Sequence, residues 1–94
     1  MTTTTVAPWT PPADWRLTEA LNCLSVAAGW SEARPKDMRL IEDAVGLVSS
    51  AHDLNAALRV LTQCAARLGS VHARLEAADA LANIAAHAAL HPTA

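Results

Sequence analysis

Alanine sets the terms for this chain, with 22 of 94 residues. It is the best helix former and the poorest core filler, because it loses no side-chain entropy on folding and buries little area. Apolar residues make up 52% of the sequence, but with alanine set aside only 27 of them can fill an interior. A chain of this length supports one small domain. Its three aromatic residues are all Trp, and it has three Gly and five Pro. Sheets draw on β-branched and aromatic residues joined by Gly- and Pro-rich turns, so the expected class is all-α.

Seven Lys and Arg against nine Asp and Glu give a formal charge of -2, with a pI near 6.0. That balance supplies no general attraction to phosphate backbones or anionic lipid. The longest stretches without a formal charge are 20–31 and 80–94, and neither gives the ~20 apolar residues of a membrane span. The opening MTTTTVAPWTPPADW has no basic segment followed by an apolar one, as a secretory signal would. Cytoplasmic residence without membrane contact is the expectation.

The four consecutive Thr and the three Pro of residues 1–13 oppose helix and read as a flexible arm carrying Trp9. From Asp14 a helical period takes over to residue 91, with 92–94 as a tail. Four helices are expected at about 14–30, 35–51, 54–68 and 71–90. In the first, Leu17, Leu21, Leu24 and Ala28 share a face that Trp15, Cys23, Ala27 and Trp30 widen. Pro35 disfavours helix at Arg34 and starts the second helix, where Met38, Ile41, Val45 and Val48 lie beside Leu40, Ala44, Leu47 and Ala51. Asp53 caps the third, whose inner face is Leu54, Leu58, Leu61, Ala65 and Leu68, and Gly69 is expected to end it in a left-handed conformation. Ser70 caps the fourth. There Val71, Leu75, Ala78, Ala82, Ala85 and Ala89 form the expected inner stripe, with Ala77, Leu81, Ile84 and Ala88 beside it. Such helices assemble as two hairpins in a mostly up-and-down bundle, and the alanine-rich fourth helix can approach a neighbour closely, the first helix or a second subunit.

Chemistry-bearing patterns are sparse. His72, Glu76, Asp79, Asn83 and His87 line one edge of the fourth helix at steps of four, three, four and four. His87 and His91 sit one turn apart, but no third ligand is assigned and the Glu-x-x-His pairs of di-iron bundles are absent. No metal or cofactor is expected. No nucleophile elbow, phosphate loop or metalloprotease pattern occurs, and most serines stand at helix ends, where capping explains them. Cys23 and Cys64 fall on apolar faces outside any metal spacing and read as reduced, buried thiols.

The segment LTQCAARLGSVHARLEAAD, Leu61 to Asp79, resembles a helix-turn-helix core. Ala65 falls at its small-residue position, Leu68 and Gly69 at its turn, and Leu75 and Ala78 at inward positions. The resemblance implies DNA contact through His72, Ala73, Arg74 and Ala77. Charge opposes it: Arg59, Arg67 and Arg74 are balanced by Asp53, Glu76 and Asp79, and DNA binding leans on phosphate neutralisation.

The sequence therefore favours a non-enzymatic regulatory or accessory protein acting by protein-protein contact and self-associating as a homodimer. Its candidate surface is Trp9, Trp15, Trp30, His72, Glu76, Asp79, Asn83 and His87. A single core below about 80 residues is worth only ~3–5 kcal/mol, and a dimer adds to it.

Overall fold

A computed structural model describes residues 14–90, and over that range the chain is four helices without a strand. They are α1 (Trp15–Gly29), α2 (Pro35–Ser50), α3 (Leu54–Arg67) and α4 (Val71–Leu90), each within a residue or so of the expected bounds. The arm with Trp9, the tail and His91 lie outside the described residues. α1 packs on α2 and α4, and α3 packs on the same two, so the helices form a bundle with α1 diagonal to α3. α4 makes the broadest contacts. Short connections join successive helices, as an up-and-down bundle requires.

The breaks follow local chemistry. Arg34 holds a non-helical ψ of 88° ahead of Pro35, the first residue of α2. Asp53 accepts the Ala56 N–H at 3.1 Å, and Ser70 Oγ accepts the Ala73 N–H at 3.3 Å, each satisfying a donor that a helix start leaves open. Asp14 makes no side-chain cap; its carbonyl takes the Leu17 and Thr18 N–H groups instead. Ser31 is fully buried and donates its hydroxyl to the Ala27 carbonyl at 2.9 Å, closing the end of α1.

One stop differs from expectation. Gly69 has no positive φ; the left-handed residue is Ala51, at φ 50°, ending α2. α3 instead turns out through extended backbone at Leu68, which the core pulls in completely. Gly69 has another use. Its N–H donates to Asp37 Oδ2 at 2.9 Å, and the Arg34 guanidinium lies across it where a Cβ would project. The α1–α2 and α3–α4 connections are thereby held together at one end of the bundle.

The largest fully buried side chains are Leu24, Ile41, Val48, Leu61, Leu68 and Ile84. Around them sit buried alanines, Ala20 and Ala27 on α1 and Ala73, Ala77 and Ala80 on α4. Alanine on both sides of a contact favours the short end of the ~8–10 Å interaxial range. α1 is one of the two neighbours expected for α4, and the two helices pack together.

α4 itself is rotated from expectation. Its buried line is Ala73, Ala77, Ala80 and Ile84, while Val71, Leu75, Ala78, Ala82, Ala85 and Ala89, the expected inner stripe, all face outward. The helix is apolar on two opposite sides, and hydrophobic period alone could not choose between them. Two tryptophans are corrected likewise: Trp15 and Trp30 do not widen the inner face of α1 but are exposed.

Candidate interaction surface

Exposed large apolar side chains concentrate on two of the four helices. The exposed large hydrophobic side chains among the described residues are Trp15, Val26, Trp30, Val71, Leu75 and Leu90. All belong to α1, the turn that ends it, or α4, which are neighbours. Leu75 is 60% exposed and Trp30 52%. The outer sides of α2 and α3 instead present Lys36, Arg39, Glu42, Asp43, Arg59 and Arg67. A shallow groove there, lined by Glu42, Asp43, Gly46, Leu47 and Val60, has two carboxylates at its rim.

The Trp30 and His72 rings stack, with centroids 4.4 Å apart and planes 22° from parallel. The contact brings the end of α1 against the start of α4, where Val71 precedes His72 and Leu75 follows one turn later. At the start of α1 the Arg16 guanidinium lies 4.5 Å from the Trp15 ring centroid, within cation-π range. Both tryptophans are therefore held in place while keeping exposed area.

The other polar candidates occupy the flank of α4 that meets α1. Glu76, Asn83 and His87 are half-buried; His72 and Asp79 are exposed. Asn83 donates its side-chain amide to the Asp79 carbonyl at 3.0 Å. Glu76, with Glu19 and Asp79 nearby, faces Cys23, and burial followed by these negative charges pushes the Cys23 thiol up to about 11. Cys64, fully buried with its thiol 3.9 Å from the Leu40 carbonyl, is likewise pushed up to about 11, by burial and then by the Asp37 carboxylate. Both cysteines are free. Thiols held this far above neutrality are poor nucleophiles, because the thiolate is the reactive form.

Among the described residues no three His, Cys, Asp or Glu side chains gather to hold a metal, and no helix is long and apolar enough to cross a membrane. Of the residues assigned to DNA contact, Ala73 and Ala77 are wholly buried, whereas Leu75 and Ala78, assigned inward, are exposed. The α3–α4 hairpin thus turns toward solvent a different face from the one the helix-turn-helix resemblance implies.

Val26, Val71, Leu75 and Leu90 are the surface residues that sequence reasoning missed. A signal existed in the even four-three spacing from Val71 to Ala89, which suits a second helix as well as a core. No family model matches the chain, no curated protein matches its sequence, and no solved structure matches its fold.

Proposed function

We propose that this protein is a non-enzymatic interaction module, a regulatory or accessory factor that works by docking its α1/α4 side on another protein and that self-associates through it. The observation that carries the reading is the confinement of every exposed large hydrophobic among the described residues to that side. Exposed apolar side chains gathered on neighbouring elements mark interaction sites more often than single scattered ones do. Trp30 and Trp15 are suited to anchor it, since Trp is enriched among the residues that dominate binding energy. Catalysis has no comparable support: the two thiols are buried and held protonated.

Salt separates this reading from DNA binding. Association driven by apolar burial holds or strengthens as salt rises, whereas DNA affinity falls by orders of magnitude between about 50 and 200 mM when several phosphates are contacted. Light scattering across a salt series, run beside a DNA-retention assay, tests the two together. The proposal expects a salt-tolerant oligomer with no retention on duplex DNA. Salt-sensitive retention abolished by Arg74→Ala would establish the other reading.

A further inference from the structure

We infer that the occupant of the α1/α4 face is a second copy of this chain, docked with the two α4 helices antiparallel about a twofold axis that crosses the outer stripe between Ala78 and Ala82. The inference rests on the self-association proposed above and adds its geometry.

The spacing admits a helix partner. Val71, Leu75, Ala78, Ala82, Ala85 and Ala89 are all exposed and follow at steps of four, three, four, three and four, the seam of a helix pair. Area brings in α1. The 20 residues of α4 span ~30 Å, and a strip one helix wide (~10 Å) is roughly 300 Å² per copy, far short of the ~1,000 Å² total that a specific interface should clear. The neighbouring 15-residue α1 adds roughly 200 Å² per copy and lifts the total to about that threshold. Val26 on α1 and Trp30 in the turn that ends it are exposed, as such an interface requires.

Direction follows from the distribution of size. The large members of the stripe, Val71 and Leu75, stand at its start, and Ala82, Ala85 and Ala89 at its end. Antiparallel pairing sets Leu75 against the partner's Ala85, Val71 against the partner's Ala89, and Ala78 against the partner's Ala82. Each layer then joins large to small or small to small, and one interaxial distance serves the whole seam. Parallel pairing would oppose the two Leu75 side chains and hold the alanine layers apart. It would also bring Arg74 near the partner's Asp79, but an exposed ion pair contributes less than burial of an exposed leucine.

Disulfide trapping decides the direction. Antiparallel pairing puts the two copies of position 75 about 15 Å apart along the axis, beyond the ~4.4–6.8 Å a disulfide spans. Leu75→Cys and Ala85→Cys proteins, oxidised separately and as a mixture, are expected to give a crosslinked dimer only in the mixture; native Cys23 and Cys64 are buried and do not compete. Val71→Cys with Ala89→Cys repeats the test without shortening Leu75, since like positions then stand about 27 Å apart along the axis. A disulfide between two Leu75→Cys chains overturns the inference in favour of parallel docking. A dimer by mass that crosslinks in neither mixture overturns the antiparallel seam but leaves self-association standing. A monomeric mass removes both.

Discussion

Trp30 and His72, 42 positions apart in sequence, stack with their ring centroids 4.4 Å apart, joining the end of α1 to the start of α4 at the edge of the apolar side. The indole is thereby fixed in one orientation while half of it stays exposed. A residue presented in this way has lost its side-chain freedom before a partner arrives, which lowers the entropic cost of docking.

An imidazole stacked on an indole shields one face of it from water, and indole emission follows its exposure. His72→Ala should therefore shift Trp emission to longer wavelength while the helical circular dichroism holds. The same variant should destabilise the fold by about 0.5–1.5 kcal/mol, the usual worth of an aromatic pair. Trp emission in His72→Ala identical to that of the wild-type chain would show that the stack does not persist in solution.

The two connections give opposite signs for substitutions that look alike. Ala51 sits at φ 50°, so Ala51→Gly should stabilise by roughly 0.5–1 kcal/mol despite the added freedom of the unfolded chain. Gly69→Ala requires no left-handed backbone and displaces only the Arg34 guanidinium, the mobile end of a long side chain; its cost should stay below about 1 kcal/mol. Asp37→Ala, which leaves the exposed Gly69 N–H to water, should cost up to about 1 kcal/mol. Urea denaturation orders the three, and a Gly69→Ala loss well above about 1 kcal/mol together with a destabilising Ala51→Gly would reverse the backbone assignment.

The rotation of α4 is testable by enlarging alanine on its two apolar sides. Ala80→Leu adds volume to a filled core and should cost at least ~1–3 kcal/mol, whereas Ala82→Leu on the outer side should leave the stability of the fold within about 0.5 kcal/mol. Thermal melts of dilute protein provide the comparison. Equal costs would mean that Ala82 is buried as well.

The cysteines predict a loss of stability in alkali. Each folded-state value is raised, from 9.0 to about 11, so below pH 9 both states carry the thiol proton and the stabilisation is complete. Between pH 9 and 11 the unfolded chain releases protons that the folded chain keeps, and stability falls with rising pH, by up to about 1.4 kcal/mol per thiol per pH unit. Denaturation at pH 8.5 and 10.5 should show this drop, and a Cys64→Ala background should lose part of the slope while paying its own packing penalty. A flat profile would mean that the thiols are more hydrated than their burial implies.

Much of the fold was legible because breaks and caps are written in a few strong residues. Pro35, Asp53 and Ser70 set helix starts to within a residue, and the leucines of α3 stand on or beside its buried face. The orientation of α4 was not legible. Val71 and Leu75 outweigh Ala73 and Ala77 on any hydrophobicity count, yet core position is decided by how closely α1 can approach, and Ala20 and Ala27 let it come nearest an alanine face. The same misreading hid the candidate surface, since the outer stripe of α4 was counted as core. Trp15 and Trp30 were legible as candidates because their residue type was conspicuous, although their exposure was not.

The central claim is that the outer side of α4 is a docking surface, and Leu75→Glu tests it most directly. Leu75 lies outside the core, so the variant should keep its helical circular dichroism and its melting behaviour as a monomer. Sedimentation equilibrium at tens of micromolar should give the wild-type chain about twice its 9.9 kDa mass and the variant a single-chain mass. A wild-type chain that sediments as a monomer, or a folded Leu75→Glu chain that still dimerises as tightly, would contradict the account.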